Sequence, residues 1–255
     1  MIYSPLLPTD QNMLDMFVGS WTSKMPAGSG LKTVPGAIPL FDDDRMLWPA
    51  EVFGGFKGKT ILELGPLEGG HSYMMQQMGA RRVRAIEANS QAFLKCLCIK
   101  EIFELDRVKF MYGDFRQYLE VAADWYDLVF ASGVLYHMTE PVKLIKQISN
   151  VTDKVYIWTH YYAEREIPST VPERFGPLET MEYDGATYQG VRQNYNTAPN
   201  GSRFCGGTAT TSCWLTKESI ILALKKYGFT RLDFNFENTT HPYGPCISIC
   251  ARKET

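Results

Sequence analysis

The strongest constraint on this chain is the alternation of short β-rich runs with longer helical patterns between residues 59 and 154. This alternation is typical of βαβ units, in which helices join parallel strands and cover the sheet. Five runs are predicted strands: 60–64, 83–88, 108–112, 126–131 and 154–160. The sequence therefore predicts an α/β fold with a doubly wound, mostly parallel sheet.

Helical patterns, with apolar residues three or four apart, fill the intervals between these strands. The predicted helices cover 70–79, 90–104, 116–123 and 141–150. Ser90 and Thr139 are predicted helix caps, and Pro141 suits a first helical turn.

The two ends of the chain are organised differently. Residues 1–58, with one short predicted helix at 10–18 and a Pro/Gly-rich loop at 26–39, are expected to form an extension beside a main domain at 59–255. Residues 161–216 contain several prolines and no sustained periodicity. They are expected to form an irregular insertion that serves as a lid or substrate-binding segment.

The final forty residues return to a regular pattern. Thr216 is predicted to cap a helix over 217–227. Two further strands, 230–235 and 245–252, are predicted to pair antiparallel at the edge of the sheet.

Composition narrows the partners and the compartment. The 255 residues carry 26 Lys and Arg against 28 Asp and Glu, so no overall positive field exists to hold nucleic acid. The longest apolar run, 128–138, is too short to span a membrane, and the first residues do not resemble a signal peptide, which favours a reducing cytoplasm. No metal is predicted, because no zinc-binding spacing is present and the cysteines are interpreted as structural thiols: Cys96, Cys98, Cys205, Cys213, Cys246 and Cys250.

The first predicted strand runs directly into a glycine-bearing turn and then a helix. Within that run, Glu63, Gly65, Pro66 and Gly69 are candidate ligand-binding residues, because glycines let the backbone approach a ligand closely. Strand-to-helix turns also need glycine for packing, so the turn alone leaves a binding role and a packing role equally open.

Candidate residues follow the next three strands as well, at the edge where open α/β sheets bind ligands. A carboxylate can accept both ribose hydroxyls, an acid beside a ring suits a purine, and main-chain carbonyls can receive an ammonium group. The residues are Glu87, Ala88 and Asn89, then Gly113, Asp114 and Phe115, then Ser132 and Gly133. Each has a structural alternative: Glu87 as an exposed acid, Asp114 as a helix cap and Gly133 as a turn residue.

These motifs, in this order, resemble the class I S-adenosylmethionine-dependent methyltransferases. The match comprises the E-x-G-x-x-x-G turn from Glu63, the acid Glu87, the Gly113–Asp114 pair and the strand-four sequence 127–137. The resemblance implies a seven-stranded sheet with a reversed last strand and S-adenosylmethionine as cofactor. Leu67 stands where many members have a glycine.

A dinucleotide-binding dehydrogenase is the alternative for such a turn. It normally has three glycines at G-x-G-x-x-G and binds a pyrophosphate at the helix N-terminus. Glu68 places a negative charge in this turn, which favours a cationic sulfonium over a pyrophosphate.

A looser similarity extends to the tRNA wobble-uridine carboxymethyltransferase group and its uncharacterised relatives. It is carried by segments 19–26, 132–137 and 214–219, and by the Asp44–Arg45 pair. The basic residues with which those enzymes hold a carboxylated cofactor are missing, and Arg45 is the one cation in 41–50. We therefore expect plain methyl transfer to a small organic acceptor. A tRNA-modifying (carboxy)methyltransferase and a non-catalytic cofactor-binding protein remain the alternatives.

Histidines and aromatic residues are the candidates for the acceptor side. His137 is the first choice as general base and His160 the second, because imidazole suits proton transfer near neutral pH. The carboxymethyltransferase resemblance implies that Ser132 and Tyr136 line the cofactor and the transferred group. Tyr136 is therefore also a catalytic candidate. The candidate acceptor contacts are Tyr136, Tyr162, Tyr188, Tyr195, Arg203 and Trp214, whereas His71 and His241 are expected on a helix surface and in a loop.

Overall fold

The computed structural model describes residues 3–167, 174–195 and 209–254. The chain divides into two compact units, Met1–Gly113 and Asp114–Thr255. Seven strands make up the mostly parallel sheet of the fold, three from the first unit and four from the second. This architecture confirms the predicted α/β class.

The first unit contains a parallel three-stranded part of the sheet and a small N-terminal pair. Its helices are α1 (Asp10–Asp15), α2 (Leu47–Val52), α3 (Gly70–Gln77) and α4 (Ser90–Ile102). Its strands are β1 (Trp21–Ser23), β2 (Pro35–Ile38), β3 (Thr60–Leu64), β4 (Arg82–Glu87) and β5 (Val108–Tyr112). β1 pairs with β2, and β4 lies between β3 and β5, all in parallel. Buried aliphatic side chains of β3 and β4 form the core beneath α3 and α4.

The second unit completes the seven strands and adds a separate sheet. Its helices are α5 (Phe115–Val121), α6 (Pro141–Ser149) and α7 (Lys217–Lys226). Its strands are β6 (Leu128–Ser132), β7 (Lys154–His160), β8 (Phe175–Tyr183), β9 (Ala186–Asn194), β10 (Thr211–Leu215), β11 (Arg231–Asn238) and β12 (Cys246–Arg252). β6 is parallel to β7, and β12 is antiparallel to both β7 and β11. β12 is thus the reversed last strand that the family resemblance implies.

Two segments predicted as irregular contain strands. Within 161–216, β8, β9 and β10 form an antiparallel three-stranded sheet. β8 is exposed along most of its length, so it has no apolar alternation for a pattern to detect. Within 26–39, β2 pairs with β1.

Helix caps were predicted with mixed success. Thr216 caps α7 and Pro141 begins α6. Ser90 is wrong as a cap because the side chain of Asn89, one residue earlier, accepts from the Ala92 N–H. Thr139 is also wrong, since the capping position of α6 is Glu140. Among the described residues, no helix has both the length and the apolar character needed to cross a membrane.

Candidate functional site

The glycine turn, defined here as residues 65–70, leads from β3 into α3 with a left-handed backbone. Gly65 and Gly69 have φ of +65° and +81°, values that glycine adopts without steric cost. A Cβ on Gly69 would also lie 3.1 Å from the Phe110 ring. Leu67 adopts φ +58°, so the turn keeps a left-handed position even where glycine is replaced.

Glu87 closes the turn at the end of β4. Its Oε2 accepts from the Leu67 N–H at 3.1 Å, and its Oε1 accepts from the Asn89 N–H at 2.8 Å. The Gly113 N–H donates to the Glu87 carbonyl at 3.0 Å, which fixes the end of β5 beside it. Burial raises the pKa of Glu87. The Ala88 N–H is a third donor to this carboxylate. A carboxylate has about four acceptor positions, so Glu87 keeps about one for a ligand, and because it is buried it is not the exposed acid of the structural alternative.

Glu63 is buried beneath the turn and bonded within the protein. The Ser72 hydroxyl donates to its carboxylate, and burial raises its pKa. His71 was expected on the helix surface, which is wrong: Nε2 lies 2.9 Å from Asp43 Oδ2, and Nδ1 lies 4.0 Å from Glu63 Oε1. Burial opposes ionisation of Asp43, but hydrogen bonds from His71 and Arg45 outweigh it and hold the Asp43 pKa well below its usual range.

Glu68 does not present its charge to a ligand, contrary to the sequence argument against a dinucleotide. Its carboxylate is buried, pairs with Lys95 Nζ at 2.8 Å and accepts from the backbone N–H groups of Thr22 and Ser23. Lys95 also donates to the Ser20 carbonyl and lies 5.0 Å from the Trp21 ring centroid. The pair therefore attaches β1 to the glycine turn. Because Lys95 neutralises Glu68, the charge of Glu68 is no argument for a sulfonium over a pyrophosphate.

In the second unit, Asp114 occupies the capping position that the sequence left open. It caps α5 through the Arg116 N–H, and its carboxylate pairs with the Arg116 guanidinium at 2.6 Å. Burial opposes ionisation, but the bonds from Arg116 lower the Asp114 pKa. Phe115 is buried, whereas Ser132 and Gly133 are half-buried at the end of β6.

Aromatic rings gather at the ends of β6 and β7. We call Tyr136, Trp158, His160, Trp214 and His241 the aromatic cluster. His160 is its centre: its ring stacks on Trp214 at 5.0 Å and 9°, and it lies within 5.2 Å of the other three ring centroids. The Trp214 indole N–H is buried without a hydrogen-bond partner among the described residues.

His137 and His160 are both neutral near pH 7. Burial and the charge of His160 lower the pKa of His137 to about 4, and burial and the charge of His241 do the same for His160. His137 Nδ1 lies 2.9 Å from the Tyr195 hydroxyl, and its ring centroid lies 4.1 Å from that of Tyr136, with the two rings tilted by 41°. Two candidate acceptor contacts, Tyr136 and Tyr195, thus lie beside the first-choice base.

The remaining acceptor candidates are more dispersed. Tyr162 contacts Phe175 and lines a separate cavity of about 400 Å³ with Glu164, Glu166 and Glu237. Tyr188 is fully buried in β9. Arg203 lies outside the described residues.

Sequence reasoning missed three contributors, namely Asp43, Lys95 and His241. Lys95 bonds Glu68 of the glycine turn from 27 residues away, and Asp43 bonds His71, just after the turn, from 28 residues away. No motif spacing marks either residue. His241 joins the aromatic cluster from a loop expected to be peripheral. Buried charged residues are rare, so their burial marks Asp43 and Lys95 as noteworthy. That burial can be seen only in the structure, not in the sequence.

A glycine turn after the first strand, an acid ending the second and a reversed last strand together define an α/β cofactor-binding enzyme fold. A family model described as a methyltransferase domain matches residues 56–198, more than half of the chain. The chain belongs to this methyltransferase domain family, as its motifs predicted.

A curated relative and two solved structures are consistent with this assignment. The tRNA U34 carboxymethyltransferase of Colwellia psychrerythraea (strain 34H / ATCC BAA-681) is 31% identical over 108 residues, which is 42% of this chain and 32% of that protein. The match therefore spans about a third of the relative's length.

Among solved structures, the N-terminal domain of EvdMO1 with SAH bound has a TM-score of 0.72 and 22% identity over 96% of this chain and 95% of that one. A Burkholderia thailandensis 1,6-didemethyltoxoflavin-N1-methyltransferase with bound 1,6-didemethyltoxoflavin and S-adenosylhomocysteine has a TM-score of 0.54 and 14% identity, over 84% of this chain and 80% of that one. At these identities the likeness shows the fold.

Proposed function

We propose that this protein transfers the methyl group of S-adenosylmethionine to a small organic acceptor. The observation that carries the acceptor class is the aromatic cluster, which gathers the rings of Tyr136, Trp158 and Trp214 around the neutral imidazole of His160. Such a lining covers an apolar or neutral molecule, whereas a nucleic acid is held by cations. The toxoflavin precursor named for the Burkholderia neighbour is an acceptor of this kind.

The first unit supplies groups that fit a nucleoside cofactor. Glu87 would accept from the ribose hydroxyls with the acceptor capacity that its three backbone bonds leave, at a strand end where the backbone of Gly65 and Gly113 comes close. In the second unit, Phe115 would offer an apolar surface for the adenine. Asp114 would accept from the exocyclic amine, and Ser132 and Gly133 would receive the amino-acid end. The cofactor supplies an activated methyl group on a sulfonium, whose transfer is an in-line displacement.

His137 is the proposed general base. In the tautomer with hydrogen on Nδ1, this N–H donates to the Tyr195 oxygen, and Nε2 keeps a lone pair for the acceptor proton. The low pKa of His137 keeps the ring unprotonated at neutral pH. Tyr136 and Trp214 would cover the acceptor and exclude water, so that alignment dominates the rate. Tyr162 and Arg203 remain proposed contacts.

The proposal also assigns a role to each of the two segments outside the α/β core. We assign residues 1–58 as an N-terminal cap within the first unit, supported by the Glu68–Lys95 attachment of β1. Residues 161–216 are the proposed acceptor-binding insertion, built on β8–β10 rather than on an irregular lid. A reducing cytoplasm is the proposed compartment, since the five cysteines in the described part of the chain are all free thiols.

A tRNA-directed carboxymethyl transfer is the second candidate because of the likeness to the Colwellia enzyme. It requires a cation for the extra cofactor carboxylate. The Arg45 guanidinium donates to both Asp43 carboxylate oxygens at 2.6–2.9 Å, so its charge is already neutralised. The basic residues Arg81 and Arg82 are exposed at the start of β4, at the opposite end of the strand from Glu87.

Calorimetric titration with S-adenosylmethionine, its carboxylated analogue and NAD tests the cofactor. We expect micromolar binding of S-adenosylmethionine and weaker binding of the other two. Preference for the carboxylated analogue would move the assignment to the carboxymethyl class, and binding of NAD alone would overturn the methyltransferase proposal.

Methyl-labelled cofactor incubated with cell extract tests the acceptor and the base. The label is expected in the small-molecule fraction, and His137→Gln should lower the rate by about 100-fold or more while leaving cofactor affinity unchanged. A Tyr118→Phe variant, altered at a hydroxyl that bonds Tyr126, serves as a control with wild-type rate. Label appearing in RNA would contradict the acceptor class.

A further inference from the structure

Three metal-ligating side chains meet where β7 and β12 pair. His160, His241 and Cys246 each offer one ligand atom, and these atoms lie within 4.8 Å of one another. His160 and Cys246 are directly opposite in the antiparallel pair. The Tyr161 N–H donates to the Pro245 carbonyl one position along, so residues 160 and 246 form the non-hydrogen-bonded pair, whose side chains approach more closely.

The ring of His160 is already held in one orientation. Nδ1 lies 2.9 Å from the Gly244 carbonyl oxygen and 3.2 Å from that of Pro245. Carbonyl oxygens only accept, so Nδ1 carries the hydrogen and Nε2 keeps the lone pair. Metal-bound histidines in proteins are commonly fixed by such a bond from the other ring nitrogen.

Gly244 makes this arrangement possible. Its φ is +114°, and a Cβ built there would lie 2.8 Å from the Trp214 ring. Trp214 in turn stacks flat against His160. The backbone carbonyl and the indole therefore hold the imidazole from two directions without any ligand.

The donor set selects the metal. One thiol and two imidazoles suit zinc, whereas magnesium and calcium require oxygen ligands, which this group lacks. Tetrahedral zinc with bonds of about 2.0–2.3 Å places its ligand atoms roughly 3.3–3.6 Å apart. The group must therefore contract by about 1 Å. His241 is half-buried in the loop before β12, so it is the ligand best placed to move.

We propose that His160, His241 and Cys246 bind a zinc ion, which attaches the loop between β11 and β12 to the end of β7. Binding forms one sulfur–zinc and two nitrogen–zinc bonds, and the Cys246 thiol releases its proton to solvent. The site lies entirely in the second unit. It shares His160 and His241 with the aromatic cluster, so zinc binding would occupy the Nε2 lone pair of His160 and leave His137 as the proposed base.

The experiment uses the purified full chain. Elemental analysis is expected to find about one zinc per chain, and chelator-treated protein titrated with cobalt(II) should develop a thiolate-to-cobalt charge-transfer band that zinc abolishes. Cys246→Ser should remove the band. Cys250→Ser, at another buried cysteine on the same strand, is the matched control and should keep it.

Absence of both zinc and the cobalt band in the wild-type protein would overturn the proposal, as would a band that persists in Cys246→Ser. His241→Ala covers the case in which Cys246→Ser fails to fold, because the change falls in a loop. It should weaken zinc binding at least tenfold with unchanged circular dichroism, and unchanged affinity would also overturn the site. Binding of copper with intense visible absorption, but not of zinc, would refute the zinc assignment.

Discussion

The two units of the chain bury their polar groups in opposite ways. In the first unit, Glu63, Glu68 and Glu87 are carboxylates, each held by hydrogen bonds from the protein. In the second unit, His137 and His160 are neutral rings packed against other rings. The contrast teaches that buried carboxylates are kept by hydrogen bonds from the protein, whereas buried imidazoles are kept by losing their charge.

The strongest test of this contrast is the buried ion pair of the first unit. Lys95→Ala leaves the Glu68 carboxylate buried without its cation, which should lower the free energy of unfolding by about 3–5 kcal/mol. Denaturant unfolding followed by circular dichroism measures it. Lys57→Ala, at an exposed lysine, should change little, and the double replacement Lys95→Met with Glu68→Leu should recover much of the loss. A Lys95→Ala protein of wild-type stability would show that the pair does not hold β1.

Glu87 tests whether the first unit's carboxylate binds a ligand. Glu87→Ala should weaken S-adenosylmethionine binding at least tenfold, about 1.4 kcal/mol, because the carboxylate acceptor for the ribose is lost. Calorimetry measures the affinity, and Glu101→Ala, at an exposed acid on α4, is the control. Equal affinities of Glu87→Ala and the wild type would remove the ribose role from β4.

The second unit's neutral histidines predict an acid-sensitive stability. The folded-state pKa of His137, about 4, lies below its ordinary value of 6.5. The unfolded chain therefore binds a proton first as the pH falls. Stability from this group is complete above pH 6.5 and is lost between 6.5 and about 4, by roughly 1–3 kcal/mol.

His137→Gln isolates that contribution. Unfolding free energies of both proteins at pH 7 and pH 4.5 give the comparison, and the variant should lose less stability on acidification than the wild type. Equal losses would mean that the ring is solvated in the folded protein.

The sequence predicted one region far better than the other, for a physical reason. β3, β4 and β5 were placed within a residue or two because each is a short run with buried apolar residues, continuous in β3 and alternating with exposed residues in β5. The aromatic cluster was only partly predicted, since Tyr136, Trp158 and Trp214 meet through the pairing of distant segments. The sequence also did not predict in which direction a side chain at a correctly placed position points.

Glu68 illustrates the last point. Its place in the glycine turn was evident, but its carboxylate points toward β1 because a buried lysine 27 residues later neutralises it there. A motif fixes which residues border a ligand, and long-range charge pairing decides which of them face it.

The smallest expected effect is at Leu67 of the glycine turn. Replacing it tests whether the turn binds the cofactor through its backbone conformation or through the leucine side chain. A left-handed non-glycine residue costs roughly 1–2 kcal/mol, which Leu67→Gly relieves while losing chain entropy and a half-buried side chain. Stability should therefore change by less than about 1 kcal/mol, with cofactor affinity unchanged. Gly69→Ala, which brings a Cβ to 3.1 Å from Phe110, should be clearly destabilised in the same thermal unfolding assay. A large loss of affinity in Leu67→Gly would mean that the leucine side chain itself contacts the ligand.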